Sequence, residues 1–129
     1  MMHQLIYASR PFGYDLNGLT NILATSRIRN AQDDITGALI CRPDVFLQLL
    51  EGPKDKVVAT FARICNDDRH VEVRQLVAGS VADRLFPDWA MKHDPAASWM
   101  WSPQDLNGGV LQTASPREIR GIFVRSTME

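Results

Sequence analysis

No apolar run in this chain approaches the roughly 18 to 20 residues that a membrane-spanning helix needs. Nor do its lysines and arginines cluster into a basic face; the formal net charge is -1, with acids and bases interspersed. Membrane and nucleic acid are therefore poor partners for it. The N-terminus, MMHQLIYAS, lacks a basic segment leading into an apolar signal core, which makes a cytoplasmic protein the expectation. Cysteine is scarce: Cys41 sits in an apolar run and Cys65 in a helical pattern, with no CxxC and no neighbouring cluster of metal ligands. Two buried thiols in a reducing compartment, and no metal, are expected. There is no GxGxxG, no internal repeat and no low-complexity segment, and 129 residues fit one core rather than two enzymatic domains.

What is present alternates between two periodicities. His3 to Ser9 reads as a strand ended by RPFGYD, and Asp15 to Asn30 as a helix, with Asp15 as N-cap and Leu16, Leu19, Ile22 and Leu23 at helical spacing. Gly18 weakens that helix by about 1 kcal/mol relative to alanine. Thr36 to Arg42 and Val45 to Glu51 flank the turn signal Pro43-Asp44 and predict an antiparallel hairpin. Gly52-Pro53 opens a second helix that ends near Asp67-Asp68, with Val57, Val58, Phe61, Ile64 and Cys65 as its buried stripe. Val71 to Val81 is a fourth strand, Phe86-Pro87-Asp88 a turn, and Trp89 to His93 a short fifth strand. The order β-α-β-β-α-β, with one further strand, predicts an α+β, ferredoxin-like sheet, antiparallel or mixed, with two helices on one face. Residues 1–95 form that domain. Residues 96–129 form a helical extension of the same unit, two short helices broken at Asn107-Gly108-Gly109 and Ser115-Pro116.

Alternation within the strands places Leu5, Tyr7 and Ser9 on one face and Gln4, Ile6 and Ala8 on the other. In the hairpin, Phe46, Gln48 and Leu50 oppose Leu47, Leu49 and Glu51. Both faces carry large apolar residues, and two helices cover only one. The other needs the C-terminal helices or a second subunit.

Three polar features do not suit a plain core. Gln48 lies among Leu47, Leu49 and Leu50, where an unpartnered amide would cost on the order of 1 to 3 kcal/mol; it bonds either to backbone or water, or to a purposeful partner. Tyr7, on the neighbouring strand of a ferredoxin-like sheet, falls on a compatible face. On the first helix Ile22, Ser26, Arg29 and Asn30 form a stripe that turns from apolar to polar. That stripe is either a helix end meeting solvent or one wall of a slot for a flat polar heterocycle. Arg69 and His70 are either solvated cations or the other side of that slot.

Taken together, LIYAS, SRIRN, ITGALI, FLQLLEG, the DRH of Asp68 to His70, and FPDWAM resemble the BLUF family of blue-light sensors over about residues 3 to 93. The resemblance implies noncovalent FAD, held by Tyr7, Ile22, Ser26, Arg29, Asn30, Phe46, Gln48, Arg69 and His70. It further implies that Tyr7 and Gln48 are the photoactive pair and that Trp89 and Met91 pass the signal on. Arg29 stands where relatives vary, and Cys41 and Leu49 replace aromatics of some members; no core photochemical residue is missing. The function so implied is a blue-light photoreceptor that is not a turnover enzyme. It would form a homo-oligomer and signal in trans to an unidentified downstream protein. The alternatives are a flavin-free ferredoxin-like interaction domain, an acylphosphatase-like domain, for which Arg10-Pro11 is a poor phosphate loop, and a flavin oxidoreductase.

Overall fold

Two β-rich runs separated by two residues can do little but fold back on each other, and Thr36–Arg42 and Val45–Gly52 pair antiparallel, from Arg42 opposite Val45 to Thr36 opposite Glu51. The computed structural model describes residues 2–11, 16–42, 45–66, 70–87, 92–95, 109 and 113–126. Its elements in chain order are β1 (Met2–Pro11), α1 (Leu16–Gln32), β2 (Thr36–Arg42), β3 (Val45–Gly52), α2 (Lys54–Cys65), β4 (His70–Val81), β5 (Lys92–Pro95) and a C-terminal helix, α3 (Pro116–Ser126). The sheet runs β4-β1-β3-β2-β5; β1 is antiparallel to both neighbours and β5 is parallel to β2. This is the expected α+β, ferredoxin-like architecture with a mixed edge.

The central strands β1, β3 and β2 are buried on both faces. On one, Leu5, Tyr7, Leu39, Phe46 and Leu50 pack with Ile35 and with Val57, Phe61 and Ile64 of α2. On the other, Ile6, Ala8, Ala38, Ile40, Leu47 and Leu49 pack with Phe86 and with Ile119, Ile122 and Phe123 of α3. The C-terminal helix is thus the cover that the second apolar face requires. Each such large side chain taken from water contributes about 1.5 to 3 kcal/mol, which fixes the register of the central strands, since a one-residue slip would exchange the two faces.

Several expectations need correction. In α2, Val57 and Thr60 are buried and Phe61 and Ile64 half-buried, but Val58 and Cys65 are exposed. The reason is angular: positions 57, 60, 61 and 64 share one face, and 58 and 65, seven residues apart, sit together beyond its edge. Cys65 is therefore not a buried thiol, and the Cys41 side chain lies outside the described residues. The helix ends at Cys65 rather than near Asp67-Asp68, with the Asn66 N–H donating to the Arg63 carbonyl at 3.2 Å. At the far edge the described strand is Lys92–Pro95, two residues beyond the expected end at His93. Its limits come from parallel pairing with Ala38 to Cys41 rather than from local propensity. Ser115-Pro116 does mark a break, since Thr113 is helical, Ala114 and Ser115 are not, and α3 starts at Pro116. Ser115 Oγ accepts from the Glu118 N–H at 3.2 Å, an N-cap followed by proline in the first turn. The expected N-cap Asp15, the turn residues Pro43-Asp44 and Asp88, and the expected helix ahead of Asn107 lie outside the described residues.

Candidate functional site

Tyr7 and Gln48 are direct cross-strand partners of β1 and β3. Both are buried on the α2 side, and the Tyr7 hydroxyl donates to Gln48 Oε1. Opposed residues of an antiparallel pair always share a face, so the contact follows from register alone. The Tyr7 ring also packs at 49° against Phe61, with centroids 5.4 Å apart. On its other side the β1–β4 ladder shifts register: Ile6 pairs with Val77 and Tyr7 with Gln75, leaving Leu76 as the extra residue. A bulge of this kind twists the strand locally and re-aims the side chains beside it.

Of the α1 stripe, Asn30 is buried at 2% exposure, Ser26 is half-buried and Arg29 exposed. Adjacent helical positions lie about 100° apart, so Arg29 turns to solvent where Asn30 turns inward. The Asn30 carbonyl accepts from the Ile35 N–H at 2.9 Å, closing the helix as the chain enters β2. The Arg63–Asp33 ion pair, at 3.6 Å, brings the end of α1 to the same side of the sheet as α2. Phe46 is buried two residues from Gln48 on the same face. Ile22 belongs to α1 and His70 opens β4, but their side chains, like Arg69, Trp89 and Met91 altogether, lie outside the described residues.

Among the described residues, α2 packs closely on β1, β3 and β4, while no described α1 side chain joins the apolar core and its buried member there is an amide. A phenol, a carboxamide and the Phe46 ring on one buried face, with a second buried carboxamide near the end of α1, can offer a flat heteroaromatic ring donors, acceptors and apolar contact. The residues present fit a flavin.

A second polar group, on the opposite face, escaped the sequence reading. Gln4 Nε2 donates to Glu51 Oε2 at 3.1 Å, the Phe86 N–H to Glu51 Oε1 at 2.7 Å, and Arg120 Nε to Gln4 Oε1 at 2.7 Å. Arg84 donates to Thr36 Oγ1 at 2.9 Å and to the Asp34 carbonyl at 2.8 Å, and pairs with the Asp34 carboxylate at 3.1 Å. The signal was available: strand alternation puts Gln4 and Glu51 on one face among Ile6, Leu47 and Leu49, and two polar residues sharing a buried face need each other.

A family model described as BLUF, sensors of blue-light using FAD, matches residues 2–92. The photoactivated adenylate cyclase subunit beta of Euglena gracilis is 40% identical over 74 residues, which are 57% of this chain and 9% of that protein. The blue light- and temperature-regulated antirepressor BluF of Escherichia coli (strain K12) is 32% identical over 87 residues, 67% of this chain and 22% of that protein. This chain therefore spans at most 22% of either curated relative. Among solved structures, BlsA in its photo-activated state superposes with a TM-score of 0.82 at 27% identity, covering 99% of this chain and 95% of that one. BlrB, a BLUF protein in its dark state, does so at 0.80 and 26% identity, covering 97% and 96%.

Proposed function

The chain belongs to the BLUF family, sensors of blue light using FAD, and on that premise we propose that Tyr7 is the donor of its photoreaction and Gln48 the switch that retains the outcome. The observation that carries this reading is the buried donation from the Tyr7 hydroxyl to Gln48 Oε1.

Bound FAD would supply the absorber of blue light and the acceptor for one electron from a nearby donor. Loss of an electron makes a phenol O–H strongly acidic, and the Tyr7 proton has Gln48 Oε1 as its acceptor. When electron and proton have returned to Tyr7, the Gln48 amide is left turned or in its other tautomer, so that the donor and acceptor ends it presents are exchanged. The redox state is unchanged, and the lasting product is a rearranged hydrogen bond. Asn30, with Ile22, Ser26, Arg29, Phe46, Arg69 and His70, would hold the flavin, the Asn30 amide supplying a polar group for the ring.

Residues 1–95 act as the sensor and 96–129 as its cap and output element. Trp89 and Met91 pass the change on to the output element. The chain works as a sensor rather than an enzyme, in the cytoplasm, as a homo-oligomer that signals to a separate protein. The cyclase and antirepressor relatives support a downstream partner, because most of their length lies outside the region matched here. The test is a light-minus-dark absorption spectrum of the FAD-loaded protein without added reductant. A reversible small red shift is expected; bleaching that needs an oxidant to recover would show net reduction and contradict the scheme. Pull-downs in light and dark then test for the partner.

A further inference from the structure

Glu51 is fully buried and no step above uses it. A carboxylate at that depth persists only if its oxygens accept hydrogen bonds. One oxygen is served by Gln4 of β1 and the other by the Phe86 N–H, from the segment that follows β4. Gln4 is fixed in turn at both ends, since its carbonyl accepts from Arg120 of α3. Reversing that amide would set its oxygen against a carboxylate and its NH2 against a guanidinium, so the chain Arg120 to Gln4 to Glu51 has one stable polarity. Arg84 holds the same corner through the main chain, donating to the Glu51 carbonyl at 3.4 Å.

The ladder relates this chain to the flavin-side pair. Tyr7 opposite Gln48 and Gln4 opposite Glu51 are both direct partners of β1 and β3, separated by an odd number of positions and thus on opposite faces. A change in how β1 lies against β3 at the first pair alters spacing and twist at the second. There it meets three hydrogen bonds that end on α3 and on the segment containing Phe86.

We propose that Gln4 and Glu51 are positioning residues that couple the rearrangement of Gln48 to α3 through Arg120. The proposal rests on the photoreceptor reading of Tyr7 and Gln48. It differs from a purely structural role, which would hold α3 in place identically in light and dark.

The experiment is hydrogen exchange of peptides spanning 116–126 in the full FAD-loaded chain, dark and illuminated, with the absorption red shift recorded on the same samples. In the wild type, illumination should change α3 exchange by at least about threefold. Gln4→Met and Arg120→Met should keep the full red shift while their α3 exchange becomes the same in light and dark; Arg120→Lys, which keeps a donor, should recover part of the difference. Arg120 is only half-buried, so its variants decide the matter if Gln4→Met fails to fold. A light-dependent α3 response that survives in the variants overturns the proposal. So does a wild type whose red shift is normal and whose α3 is unresponsive, or variants that lose the red shift itself. A wild type with no red shift would instead strike the Tyr7–Gln48 reading, and this one with it.

Discussion

The Tyr7 hydroxyl donates to the side-chain carbonyl of the residue directly opposite it, Gln48, inside the layer between β1, β3 and α2. Neither residue needs a loop to position it; two adjacent strands and their register suffice. Tyr7→Phe removes the donor and Gln48→Leu the acceptor without emptying the face. Each should retain FAD and lose the normal red shift in illuminated difference spectra. Gln48→Leu also removes a buried hydrogen bond, which should lower stability by about 0.5 to 1.5 kcal/mol, read as a lower urea midpoint. A normal red shift in either variant removes that residue from the mechanism.

Asn30 is the buried amide of the described part of α1. Asn30→Ala should weaken FAD binding by about 1 to 3 kcal/mol, or roughly five- to 150-fold in Kd, seen as a reduced flavin-to-protein ratio after dialysis. Trp89→Ala, at a residue proposed for signalling rather than for binding, should retain flavin as the wild type does. Equal retention by the two variants would remove Asn30 from the pocket wall.

The elements legible in advance were those whose periodicity and burial agree. Alternation in β1 and β3 located Tyr7 beside Gln48 and foresaw an apolar second face, which α3 covers through Ile119, Ile122 and Phe123. Cys65 and Val58 were misread because apolar character stood in for angular position on α2. The network of Gln4, Glu51 and Arg120 was invisible for another reason: its last member lies 116 positions from its first, and only the packing of α3 on the sheet brings them together. The extent of β5 likewise depends on its pairing with β2, which no local pattern encodes.

Gly37, in the middle of the ITGALI stretch, has a tertiary reason to be glycine. A Cβ there would overlap the Leu49 carbonyl, lying 2.9 Å from its carbon, and main chain of the same ladder cannot step aside. Gly37→Ala should cost about 3 kcal/mol or more. Gly121 in α3 is the opposite case, since a Cβ there meets nothing within 4 Å. Gly121→Ala should stabilise by about 0.5 to 1 kcal/mol through helix propensity. Thermal melts of the two variants should move in opposite directions.

Phe123 is fully buried beneath the sheet, edge-on to Phe86 at 6.5 Å and 87°. Phe123→Ala should destabilise by about 3 to 5 kcal/mol and expose apolar surface, giving a lower urea midpoint and binding of a hydrophobic dye. Tyr7 and Gln48 lie on the other face, so the fraction that stays folded should keep its red shift. Loss of FAD from that folded fraction would mean that the two faces are less separable than their packing implies.

His3 tests the pH dependence. Burial first, and the Lys54 charge second, hold its imidazole below the ordinary 6.5. A histidine depressed in the folded state binds fewer protons there than in the unfolded chain, so stability rises with pH wherever the unfolded state alone is protonated. Its contribution is complete above pH 6.5 and is lost as pH falls from there through the folded-state value. The His3 ring resonances should therefore titrate below 6.5, and the urea midpoint of the wild type should fall more steeply under acid than that of His3→Gln. Lys54→Met should raise the His3 midpoint only partway, because burial, the larger cause, remains. A full return to 6.5 in Lys54→Met would make the lysine charge the main cause instead.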